Sequence, residues 1–172
     1  LGHVITSEGG GPAALAGAMI HPVDTTDGIF SPEDVNDGVN FPSRYAPRTR
    51  LVCVEQTFNL KGGTVWPLAQ LDAVSAAAKA AGLATHMDGA RLMNAVVASG
   101  VEASVHAAGY DSVWIDFTKG LGAPVGAVLA GSRDFIEEAW RFKQMMGGAM
   151  RQSGVLAAMC LYALDHHVER LA

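Results

Sequence analysis

The run Ser112-Val113-Trp114-Ile115-Asp116-Phe117-Thr118-Lys119-Gly120-Leu121-Gly122-Ala123-Pro124 decides how the rest of this chain is read. Its first part, 112–117, is apolar and rich in β-formers, the pattern of a buried strand. A lysine closes it, just before a turn punctuated by glycines. An ammonium resists desolvation. Such a lysine either reaches water along its flexible stem, or stays buried with a lowered pKa. In the second case its neutral amine can form a Schiff base with a carbonyl. The run alone does not choose between them.

Working outward, Val125 to Ala130 is apolar enough to be a neighbouring strand, and Leu83 to Met87 is another, ending at Asp88. Leu51 to Glu55 reads as a buried strand and Met19 to Val23 as a short one. Between the strands lie helices. Pro67 leads an Ala-rich stretch to about Ala81, closed by Gly82, and Leu92 to Ser99 is closed by Gly100. Pro12 opens a helix after three glycines. Ser31-Pro32-Glu33-Asp34 carries an N-cap with a capping-box-like partner three residues on. Asp134 to Met145 is amphipathic, with Phe135, Ala139 and Phe142 on one face, and a last helix runs from Arg151 to about Leu171. Strands alternating with helices predict an α/β fold, a three-layer α/β/α arrangement with a mainly parallel sheet covered on both faces. Ligands of such sheets collect at the carboxyl ends of the strands. Asp88 and Lys119 both stand there.

Composition bounds the function. The 172 residues are 49% hydrophobic and 17% charged, which is globular rather than disordered material. A net charge of −5 without a polybasic block excludes a general nucleic-acid binder. The longest apolar run, Val155 to Leu164, is too short to span a bilayer. Cys53 and Cys160 sit in apolar segments far apart, the pattern of buried free thiols in a reducing compartment, and the cytoplasm is the expected location. The chain opens Leu1-Gly2-His3 like mid-domain sequence, as an internal portion of a longer protein would.

The chemistry gathers around His86-Met87-Asp88-Gly89-Ala90-Arg91 and Lys119. A buried carboxylate calls for a cation, and Arg91 is one candidate for a structural ion pair. Together, though, an acid, an arginine and a strand-end lysine match the needs of pyridoxal phosphate. The lysine anchors the cofactor and the carboxylate stabilises its protonated pyridine nitrogen. The arginine grips a substrate carboxylate in a bidentate manner. His-x-Asp is also half of a metal motif, but no second cluster supplies further ligands. The glycines at 9–11 read as a helix-start turn rather than a phosphate loop.

Several runs resemble the low-specificity L-threonine aldolases: Glu55-Gln56-Thr57-Phe58-Asn59, Gly62-Gly63-Thr64-Val65, His86 to Asn94, and Thr118 to Gly126. Gly147-Gly148-Ala149-Met150-Arg151-Gln152 and the Leu161-Tyr162-Ala163-Leu164 helix extend the similarity over essentially the whole chain. The resemblance implies the β-eliminating lyase group and the fold of the aspartate aminotransferases, fold type I. Residues 1–172 would be part of its cofactor-binding large domain, with an upstream phosphate loop and a downstream small domain belonging to a full member. It further implies Lys119 as the Schiff-base lysine, Asp88 facing the pyridine nitrogen and Arg91 on the substrate carboxylate. His3, with Glu8 five residues later, would stack on the cofactor ring, and Arg151 would line the active-site entrance. A homo-oligomer is implied too, since sites of this group lie between subunits.

Two positions depart from that pattern. Phe58 stands where the family carries a histidine against the substrate β-hydroxyl, and phenylalanine cannot take a proton. Either His3 or a water assumes that task, or the substrate carries a bulkier, even aromatic, β-substituent. The alternative is a plain core aromatic at a strand end. Lys143-Gln144 replaces a commoner Arg-Lys, so one positive charge shifts or is lost. The expected reaction is cleavage of a β-hydroxy-α-amino acid to glycine and an aldehyde. The rivals are a β-eliminating lyase or transaminase on the same fold, or a non-catalytic scaffold.

Overall fold

The computed structural model describes residues 2–171. Strands β1 (Leu51–Glu55), β2 (Ala84–Gly89), β3 (Ser112–Asp116) and β4 (Ala127–Gly131) form one sheet in that order. The β1–β2 and β2–β3 pairings are parallel and β3–β4 is antiparallel. The connections explain this. Helix α4 (Leu68–Ala80) crosses from β1 to β2, and α5 (Leu92–Ser99) with α6 (Ala103–Ala107) crosses from β2 to β3. The segment 117–126 is too short for a crossover helix, so β4 returns antiparallel.

Pairing partners Val52 with Thr85, Val54 with Met87 and Met87 with Val113 put apolar side chains on one face of the sheet. Val54, Met87 and Val113 pack there against Leu71, Val74 and Ala78 of α4, Leu92 of α5 and Val35 of α3 (Pro32–Asp37). Met87, Leu71 and Val74 are wholly buried, each worth about 1.5–3 kcal/mol of transfer free energy. A second cluster, Phe117, Leu121 and Ala123 with Ala163 of α8 (Gly154–His167), carries the core past the end of β3. Gly126 makes this approach possible: its φ of +129° suits glycine, and a Cβ there would strike Cys160 Sγ.

Residues one step out of phase, Cys53 with His86, Glu55 with Asp88 and Asp88 with Trp114, share the opposite face. The layer on that side is thin among the described residues. It includes α1 (His3–Thr6), tied to Glu55 by the His3 backbone N–H, which donates to Oε2 at 2.9 Å.

The Ser31 cap of α3 is present in full: the Asp34 N–H donates to Ser31 Oγ, and the Ser31 N–H donates to Asp34 Oδ2. Helices α2 (Gly11–Ala16) and α7 (Arg133–Met145) match expectation. Met19 to Val23 does not. It forms no ladder, because Pro22 lacks a donor and Met19 is 82% exposed with no strand beside it. Helix α6 is not legible in the sequence because five residues are too few to show a period. The last helix begins at Gly154 rather than Arg151, behind Ser153 as N-cap. Cys53 and Cys160 are free thiols, half-buried rather than fully buried.

Candidate active site

Strands β1, β2 and β3 run parallel, so their carboxyl ends lie along one edge. Glu55 ends β1, Asp88 and Gly89 end β2, and Lys119 follows β3 by three residues. The sequence thus delivers two carboxylates and a lysine to one edge.

At β1 the geometry is tight. Glu55 is buried, and its Oε1 lies 2.7 Å from His3 Nδ1 while Oε2 takes the His3 backbone N–H. The Asn59 N–H also donates to Oε1, at 3.2 Å. Next to it, Gln56 is wholly buried. Its Oε1 accepts from the Trp66 N–H at 3.1 Å, and its own N–H donates to Asp88 O at 2.7 Å. Phe58 is buried beside this pair, close to Gly2 and pressed on Gly28, where any Cβ would collide with its ring. Gly28, at φ +91°, is the residue that admits the ring.

Asp88 is half-buried. Its Oδ1 accepts from the Ala90 N–H at 3.0 Å. Burial raises its pKa above the ordinary carboxylate value, helped by the nearby Glu55 and Glu8 charges and opposed by the Ala90 hydrogen bond and by His3. The Glu55–Asp88 pairing and the His3–Glu55 bond put all three in one neighbourhood. Arg91, one candidate for a structural ion pair, stands half-buried at the N-cap of α5, and among the described residues no ion pair joins it to Asp88.

Lys119 is not buried. It is 44% exposed, and its Nζ lies 3.6 Å from Asp116 Oδ2. Asp116 is itself oriented by the N–H and hydroxyl of Thr118, which donate at 2.7 and 2.6 Å. The desolvated-amine argument therefore gives way to a reachable ammonium met by a carboxylate. Arg151 is exposed in the segment joining α7 to α8, with no ion pair to the others among the described residues. His86 is bonded through Nδ1 to Ser112 Oγ at 2.8 Å, and burial lowers its pKa. Among the described residues no three His, Cys, Asp or Glu side chains gather as metal ligands.

Glu55 is the residue that sequence reasoning left without a role. Its position in Glu55-Gln56-Thr57-Phe58-Asn59 was visible, but its bond to His3 spans 52 positions and no local pattern announces it.

All of residues 1–172 match the beta-eliminating lyase family model. The chain belongs to the beta-eliminating lyase family. The low specificity L-threonine aldolase of Escherichia coli (strain K12) is 41% identical over 170 residues, covering 98% of this chain and 50% of that protein. A threonine aldolase structure from Leishmania major superposes with a TM-score of 0.84 at 23% identity, over 99% of this chain and 50% of that one. A serine palmitoyltransferase from S. paucimobilis with bound PLP-myriocin shares the fold more distantly. There the TM-score is 0.51 at 21% identity, over 82% of this chain and 34% of the other. The chain spans about half the length of the curated relatives it matches.

Proposed function

We propose that this protein is a pyridoxal-phosphate-dependent aldolase that cleaves a β-hydroxy-α-amino acid to glycine and an aldehyde. The observation that carries the reading is the half-buried Asp88 carboxylate, without a cationic partner among the described residues, on the same sheet edge as Lys119. The donor set fits the cofactor. A protonated pyridine nitrogen would supply a positive charge and a hydrogen bond beyond the one Asp88 takes from the Ala90 N–H, and the exposed Lys119 side chain offers the carbonyl-reactive anchor. Residues 1–172 would then form part of a cofactor-binding large domain.

When bound, pyridoxal phosphate supplies an electron sink for breaking a carbon–carbon bond. This chain's residues do the rest. Lys119 would hold the cofactor, and Asp88 would keep its ring nitrogen protonated. Arg91 would grip the substrate carboxylate, and His3 would lie beside the ring. His3 takes the β-hydroxyl proton. The O–H electron pair becomes the second C–O bond of the aldehyde, the Cα–Cβ pair stays with Cα, and Cα regains a proton to give glycine. Phe58 forms an apolar wall beside His3 that favours a bulkier β-substituent than the methyl of threonine. Arg151 offers a positive charge at the entrance for the incoming carboxylate.

We also infer a cytoplasmic homo-oligomer. No helix of the described residues is long and apolar enough to cross a membrane, and both cysteines are free. Val128, Trp140 and Phe142 of β4 and α7 are about half exposed, as subunit-facing side chains are before assembly.

The test is the product balance from threonine and phenylserine. Glycine with an aldehyde in equal amounts is expected. Ammonia with a keto acid, and no glycine, would make the protein an eliminating lyase instead.

A further inference from the structure

The hydrogen bonds around Glu55 carry one step more. An ionised carboxylate only accepts, so the short Glu55 Oε1–His3 Nδ1 contact of 2.7 Å places the imidazole proton on Nδ1. The other oxygen is spent on the His3 backbone N–H at 2.9 Å. Both the ring and the chain that bears it are therefore held by one side chain. That side chain is only 7% exposed, while the histidine is 24% exposed. Glu55 is fixed in its turn by the Asn59 N–H. Nε2 lies on the far side of the ring from Glu55, and the Phe58 ring packed nearby has no atom able to accept a proton.

We propose that Glu55 is a positioning residue that locks His3 as its Nδ1–H tautomer, leaving Nε2 as the bare acceptor for the substrate β-hydroxyl proton. The arrangement compensates for Phe58. Where an acceptor is missing at position 58, the Glu55–His3 pair presents one with a fixed orientation and tautomer, and the carboxylate stabilises the imidazolium that forms. In the step itself the β-hydroxyl O–H bond breaks and Nε2–H forms, the released pair makes the aldehyde carbonyl, and the Cα–Cβ bond breaks with its pair staying on Cα. What Nε2 does rests on the aldolase reading. The tautomer does not.

The experiment is imidazole nitrogen NMR on the full chain labelled with ¹⁵N-histidine, with His3→Gln to assign its signals. In the unsubstituted protein the His3 signals should show a protonated Nδ1 and an unprotonated Nε2. A protonated Nε2, or an average of the two tautomers, overturns the proposal, and this measurement needs no Glu55 variant to fold. In Glu55→Leu no acceptor is left for an Nδ1 proton, so the tautomer should reverse to the Nε2–H form. With that reversal kcat should fall by about 10²-fold while KM holds. An unchanged tautomer, or an unchanged kcat, overturns it. Failure of the aldolase reading looks different: no glycine is released by the unsubstituted protein, while the Nδ1–H signature stands.

Discussion

Met87 and Asp88 are neighbours on β2 and belong to two different halves of the molecule. Met87 turns to the face packed by α3, α4 and α5 and is wholly buried. Asp88 turns to the face shared with Cys53, Glu55, His86 and Trp114, which is polar and in part open. One face is a mostly hydrophobic core. The other carries two carboxylates and a histidine in paired register, and partial burial there disfavours the ionised form of Asp88. The lesson is that this sheet places stability and chemistry on alternate residues of the same strands. Side effects of a mutation should therefore switch character from one residue to the next.

The sharpest way to break that comparison is to truncate each neighbour. Met87→Ala opens a cavity in the packed face and should cost about 2–5 kcal/mol, read as a lowered unfolding midpoint in urea. Loss of cofactor binding with no loss of stability would contradict the division. Asp88→Asn should do the reverse. Because the folded pKa is raised, the ionised form is the disfavoured one in the fold, and its cost builds as the pH climbs from 3.8 through the folded value. Removing the charge should thus stabilise the cofactor-free protein at pH 7. The gain should fade as the pH falls back toward 3.8, while cofactor absorbance is weakened at every pH.

Phe58→His sharpens the comparison at a smaller scale. A buried imidazole among Gly2, Gly28 and the Phe58 backbone should cost about 1–3 kcal/mol. If the residue selects the substrate, the ratio of threonine to phenylserine cleavage should rise. An unchanged ratio would reduce Phe58 to packing. The least conspicuous effect concerns Cys53. Burial, reinforced by the Asp88 and Glu55 charges, pushes its thiol up to about 12. Iodoacetamide at pH 8 should leave it unmodified in the native protein and label it after unfolding. Labelling of native Cys53 would show the polar face to be wetter than its register implies.

Much of this was legible in the chain itself. Leu51 to Glu55, Leu83 to Asp88 and Ser112 to Phe117 could be read as strands because short apolar β-rich runs ended at polar residues. Their carboxyl ends then collected Asp88 and Lys119 in one place. Less legible was the environment of Lys119. The apolar run suggested burial, but Asp116, only three residues earlier, meets the ammonium at a half-exposed position. The Met19 to Val23 stretch misled because hydrophobicity does not supply a partner strand. Glu55 was invisible as a functional residue for a related reason: its meaning depends on where His3 returns from 52 positions away. Local pattern reports propensity and periodicity. It does not report which distant segment closes over a strand end.

The central claim is that the polar edge of the sheet holds pyridoxal phosphate through Lys119. Borohydride reduction of the cofactor-loaded protein followed by peptide mass mapping tests it most directly. The account predicts a pyridoxyl phosphate adduct on Lys119 alone, with visible absorbance lost on reduction and never present in Lys119→Ala. An adduct on Lys61, Lys79 or Lys143, or none at all, would contradict it.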